Sequence, residues 1–347
     1  MIAPLARPTA RALVWLIGWL VLIPAGCVVN PVPTPGSGGT TVLAGDTGGG
    51  IGKTNDAAAD LGGTADDATA APNSDALDSF VPATDTQTGV SGEFGDHLAI
   101  FDPAVPSSGD LVVLLPGSNM QPKDYSKILW VAAQRGHRVL GLAYPANPSA
   151  ASLCGENSTC YEYVRHEVLD GQDRSDKIKV GFNNCIEQRL ALALQWLVKH
   201  RPGQGWGNYV AGSTPLWQNI VVVGHGEGAG HAGFIGKVRK VARVVLLQGP
   251  LDSTAQGPAA WIASAAQTPA SAWFGLADKT AGDFNKISAN WIALGLGTSW
   301  SPVTGLGAFG SAHGVVSESP VAADAELQAG SDGDPAPMPA WWYLFTP

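Results

Sequence analysis

The feature that most constrains this chain is the stretch Asn219 to Gly228, NIVVVGHGEG, where a fully apolar run breaks into three alternating glycines. A short unbroken run of β-branched residues fits a strand buried on both faces, and so the interior of a sheet covered by helices. The residues that follow include Gly228, Ala229, Gly230, Ala232 and Gly233. They suit a helix whose backbone lies close against that sheet.

The rest of the C-terminal region repeats the alternation of strand and helix. His97–Phe101, Leu111–Leu115, His137–Tyr144, Ala242–Leu247 and Ser271–Leu276 read as strands. Tyr125, Ile128, Leu129, Ala132 and Ala133 share one helical face, as do Ile186, Leu190, Leu194 and Leu197 in a helix over 183–199. Phe284, Ile287, Trp291 and Leu294 mark a third. This order predicts an α/β class: a mostly parallel central sheet with helices on both faces. Gly305–Gly310 is expected as the last strand, leading into Ser311-Ala312-His313-Gly314. Residues 145–180 are polar and contain cysteines, and are expected to be an irregular insertion over the C-terminal edge of the sheet. Trp341–Phe345 is expected to dock on the domain.

A strand, then Gly224-x-Gly226-x-Gly228, then a small-residue helix resembles the nucleophile elbow of the α/β-hydrolase superfamily. There the motif is Gly-x-Ser-x-Gly, followed along the chain by an acid and a histidine. The resemblance spans 95–347 and looks most like a bacterial exported branch with GHS-x-G elbows and a terminal Ala-His-Gly. It implies Asp278 as the acid, with Asp252 as a rival, and His313 as the histidine. Pro116-Gly117-Ser118 stands where the family donates an oxyanion N–H, so Ser118 N–H and Glu227 N–H would form that hole. Glu227 otherwise complements the helix dipole. His225 and His231 read as packing residues, and the tryptophans as core and lid material. No cofactor is expected, and no Cys/His spacing resembles a metal site.

The departure is at the centre. Glycine at 226 has no atom that can attack a carbonyl, yet it relieves the backbone strain that an elbow imposes on a residue with a Cβ. Two functions are open at this point. One is a degenerate hydrolase that binds a small acyl or ester-like ligand, or a protein partner. The other is a residual carboxylic-ester hydrolase in which His313 activates a water.

Residues 1–27 read as an export signal: Arg7 and Arg11, then the uncharged run at 12–23, then Pro24-Ala25-Gly26-Cys27. The ending resembles a bacterial lipobox, although the usual Leu is replaced by Pro24, and it implies lipidation of Cys27 and a membrane anchor. Ordinary cleavage near Gly26, or an uncleaved anchor, is the alternative. Val28 in place of Asp leans toward the outer membrane, with a periplasmic or cell-surface location the broader expectation. Residues 28–90 have few large apolar side chains and are expected to be a disordered tether, leaving 91–347 as the domain. Within the tether, Gly48–Thr54 imitates a phosphate loop, but Thr47 stands where its first glycine is needed. The formal net charge is −9 and no basic cluster carries interleaved aromatics, so nucleic acid is not an expected partner. Beyond Cys27, a Cys154–Cys160 disulfide is expected, with Cys185 free and buried and a 160–185 bridge as the competing pairing.

Overall fold

The computed structural model describes residues 77–303, 309–318 and 338–346. The leader, Cys27 and most of the expected tether lie outside these residues, as does 305–308 of the expected last strand. The chain divides into two units, 1–62 and 63–347, and every described residue belongs to the second.

Among the described residues, nine strands form the central sheet: β1 (Leu77–Val81), β2 (His97–Phe101), β3 (Leu111–Leu115), β4 (Arg138–Gly141), β5 (Ile220–His225), β6 (Arg243–Leu247), β7 (Trp273–Asp278), β8 (Ser301–Pro302) and β9 (Gly314–Ser317). Their spatial order is β1-β2-β4-β3-β5-β6-β7-β9-β8. The pairings from β4 through β8 are all parallel, and β2 runs against both its neighbours. The principal helices are α1 (Ser126–Gln134), α2 (Ala150–Cys154), α3 (Ser158–Asp170), α4 (Ile186–His200), α5 (Glu227–Val238), α6 (Phe284–Leu294) and α7 (Met338–Leu344).

The sheet is buried on both faces, as its apolar strands require. In β3, Leu111, Val113 and Leu115 enter one core, shared with residues of α3, α4, α5 and α6. Val112 and Leu114 point the other way, into a core built with α1 and α7. Each such side chain contributes about 1.5–3 kcal/mol on burial. The C-terminal helix docks as expected, with Trp341 and Phe345 buried against the α1 face. This is the expected α/β class with a mostly parallel sheet.

Three expectations are corrected. The tether does not extend to residue 90: Leu77–Val81 pairs antiparallel with β2 as an edge strand, and Val81 and Ala83 are buried. The 145–180 insertion is not irregular throughout, because it holds α2 and the 13-residue α3. Asn157 caps α3 by accepting from Cys160 N–H, and Gly171 ends it in the left-handed conformation at φ 71°. Among the described residues, the last strand of the parallel run is Gly314–Ser317, so His313 precedes it instead of following it.

Candidate active site at a strand-to-helix turn

β5 passes into α5 through one residue, Gly226, with φ 53° and ψ −109°. A residue with a Cβ is strained in that region by roughly 1–3 kcal/mol. The Gly226 N–H donates to Leu247 O at 2.9 Å, and its carbonyl accepts from Ala229 N–H at 3.1 Å, so the turn is held on both sides. A Cβ built on Gly226 meets nothing within 4 Å. The constraint here is torsional, and the direction a side chain would take is open.

The outer glycines are needed for a different reason. A Cβ on Gly224 would lie 2.0 Å from Gly228 O, and one on Gly228 would lie 2.0 Å from Leu115 O. Both are collisions with backbone that side-chain motion cannot relieve. The three glycines thus combine one torsional demand with two demands of space.

The side chain after the turn points inward. Glu227 is paired through both carboxylate oxygens with Arg165 of α3, by a close contact from Nη1 to Oε1 and by Nη2 to Oε2 at 3.2 Å. The same guanidinium donates to Asp252 through Nε at 3.0 Å and Nη2 at 2.7 Å. Trp261 Nε1 adds a bond to Asp252 at 2.8 Å. A Cβ on Gly230 would lie 2.1 Å from Arg165 Nη2, so this glycine of α5 makes room for the guanidinium. Arg165 and Asp252 are each 1% exposed. Burial alone would raise the Glu227 carboxyl, but Arg165 and the contact from His231 hold it below its usual range. His231 Nε2 lies 3.3 Å from Glu227 Oε1. Burial, with Arg165 adding to it, lowers that imidazole to about 4. Asp252, the rival acid, is therefore a structural counter-ion.

On the far side of the turn, the Gly117 N–H donates to Tyr125 Oη at 2.9 Å, and that hydroxyl shares a 2.8 Å hydrogen bond with His225 Nδ1. Gly117 N–H is thus committed to Tyr125. Ser118 anchors its own loop by donating from Oγ to Ala146 O at 3.0 Å.

Asp278 ends β7, on the same sheet edge as Gly226, and is buried. Its Oδ1 accepts from Thr280 N–H and Thr280 Oγ1, both at 2.7 Å. Its N–H donates to Gln248 Oε1 at 2.7 Å. Gln248 itself has φ 49°, a strained backbone beside the turn. α6 holds that loop through Trp291 Nε1 to Gly249 O and Asn290 Nδ2 to Pro250 O, both at 2.8 Å.

His313 does not join these residues. Its Nδ1 bonds Trp273 O at 2.7 Å and its ring stacks on Phe274 with centroids 5.0 Å apart. Trp273 begins β7 and Asp278 ends it, a run of about 16 Å at the rise of a strand. His313 and Asp278 therefore sit at opposite edges of the sheet. The register that matches His225 with Leu247, Leu247 with Leu276 and Leu276 with Val315 also puts three strand spacings, roughly 14 Å, between the Gly226 turn and β9. The inferred Asp278–His313 pair is not formed, and no histidine follows residue 313 in the chain. The Cys154–Cys160 disulfide is formed, joining α2 to the first turn of α3. Cys185 is free and buried.

Arg165 is the residue that sequence reasoning missed. Its signal was available in Asn157 and Gly171, which bracket a helix-length segment with cap and stop residues.

No protein-family model matches the chain, and no curated protein matches it. Among solved structures it is similar to MGS-M1, an alpha/beta hydrolase enzyme from a Medee basin deep-sea metagenome library. The identity is 11% and the TM-score 0.29, over 58% of this chain and 68% of that one.

Proposed function

We propose that this chain is an exported, lipid-anchored relative of the α/β-hydrolases that does not hydrolyse its ligand, and that binds a small acyl or ester-like molecule at the Gly226 turn. The observation that carries the reading is Gly226 itself. It holds the elbow backbone at φ 53° and ψ −109°, offers no nucleophilic atom, and leaves the side-chain direction open. A carbonyl oxygen entering that space would face the first N–H groups of α5, with Ser118 N–H as the second expected donor. Water activation by His313 is not favoured, since that ring is bound to Trp273 O at the other sheet edge. Residues 1–27, ending in Cys27, support export and anchoring.

The test pairs turnover with binding. The chain is mixed with nitrophenyl acetate and nitrophenyl butyrate, and separately titrated with the matching anilides in a calorimeter. The expected outcome is ester cleavage at the rate of the buffer blank, together with measurable anilide binding. Cleavage above the blank that disappears in His313→Ala would sink the reading. The anchor is tested by fatty-acid labelling of the wild type and Cys27→Ser, with the label expected only on the wild type.

A further inference from the structure

A second buried cation lies on α4 and is treated very differently from Arg165. The Arg189 side chain is completely buried. Its Nε donates to Ala143 O at 2.5 Å, and its Nη1 donates to Ser91 O at 3.0 Å and Asn184 Oδ1 at 3.1 Å. The Phe94 ring lies 5.3 Å away. All of these partners are neutral. Nη2 is buried with no hydrogen-bond partner among the described residues. Among the described residues, the one titratable acid that bears on the guanidinium is the Cys185 thiol, which burial pushes up to about 11 and so keeps neutral. Arg165 has two carboxylates at contact; among the described residues, Arg189 has none.

His97, the first residue of β2, stands beside it and is also completely buried. Its Nδ1 accepts from Ala143 N–H at 3.0 Å, so the neutral ring carries its proton on Nε2. That Nε2–H is likewise buried without a partner among the described residues. His97 and Arg189 therefore grip the N–H and the carbonyl of the same residue, Ala143, and each has a donor left over. An uncompensated buried charge destabilises the fold, and each unmade bond adds to that cost. The group that answers both demands accepts from two donors, carries one negative charge and is small enough for an enclosed site. Water accepts the two bonds but leaves the charge uncompensated, and it brings two protons that need acceptors of their own.

We propose that Arg189 Nη2 and His97 Nε2 together hold a small inorganic anion of the halide type, chloride under ordinary conditions, as a structural ligand between β2, the segment after β4 and α4. This inference does not depend on any ligand at the Gly226 turn.

The experiment compares thermal unfolding of the chain in sodium chloride and in sodium gluconate, whose anion is too bulky for the site, at equal ionic strength. Chloride is expected to raise Tm by about 2–4 °C, saturating as its concentration increases. Arg189→Met keeps the bulk of the side chain, removes the charge, and is expected to abolish the difference between the two salts. Should that variant fail to fold, wild-type crystals grown in bromide decide, with an anomalous peak expected within hydrogen-bonding reach of both nitrogens. Equal Tm in the two salts, or an ordered water in place of the bromide peak, overturns the proposal.

Discussion

At the scale of single residues, the three glycines of the turn separate into two kinds. At Gly226 the space is open and the torsion is not, so Gly226→Ala is expected to cost roughly 1–3 kcal/mol, the strain of a Cβ at φ 53°. Gly224→Ala and Gly228→Ala drive a Cβ into backbone, so each is expected to cost more than Gly226→Ala. Urea unfolding of the three variants checks the order, and a Gly226 variant that proves the most damaging would contradict this account. Arg165 gives a second prediction. Arg165→Met strands two buried carboxylates and is expected to cost about 3–5 kcal/mol. Adding Glu227→Gln and Asp252→Asn to the same chain is expected to recover part of that loss, because the amides carry no charge to strand. A triple variant no more stable than the single one would show that the cluster acts by packing and not by charge.

At the scale of elements, the insertion is the part that matters most and was least legible. The apolar strands could be read because a strand buried on both faces has a composition that little else shares, and β3, β5 and β6 fall where Leu111–Leu115, Asn219–Val223 and Ala242–Leu247 suggested. α3 was obscured because its buried face mixes Tyr161, Val164, Val168 and Leu169 with the buried charges Arg165 and Glu167, which blurs the apolar stripe. The N-terminal strand was obscured because β1 is an edge strand with Phe80 exposed, and its composition differs little from the tether before it. His313 was misplaced for another reason: a histidine near a late strand says nothing about which end of that strand it occupies, and the register settles it. The disulfide ties the start of α3 to α2, and α3 carries Arg165 to the turn. Cys154→Ser with Cys160→Ser is therefore expected to lower stability by about 2 kcal/mol, the loop-closure value for so short a ring. It is also expected to raise proteolytic cleavage within 150–170 ahead of other sites. Uniform cleavage across the chain would mean that the bridge supports α3 no more than it supports the rest of the domain.

At the scale of the whole molecule, two buried histidines link folding to pH. Burial and Arg189 lower His97 to about 3, and burial and Arg165 lower His231 to about 4, against an ordinary value of 6.5. Because both values are lower in the folded chain, the unfolded chain takes up protons first as the pH falls. Their contribution is complete above 6.5 and is lost below it, by about 1.4 kcal/mol per pH unit for each ring down to about 4. Glu227, held below its ordinary value of 4.5, adds to the loss in more acid solution. Urea midpoints should be level from about pH 8 to 6.5 and then fall steadily; a flat profile to about pH 4.5 would mean that the rings are not held neutral. The central claim concerns the turn that the whole sheet presents at Gly226: it lacks a nucleophile, and the inferred base, His313, stands at the opposite edge. The most direct test is nitrophenyl butyrate turnover by Gly226→Ser beside the wild type. The account predicts that the serine variant folds, with the small loss expected for strain, and stays at the buffer blank because His313 cannot reach a serine at 226. Turnover by Gly226→Ser that is lost on adding His313→Ala would contradict it, placing that histidine at the turn and making the site an intact hydrolase short of its nucleophilic side chain.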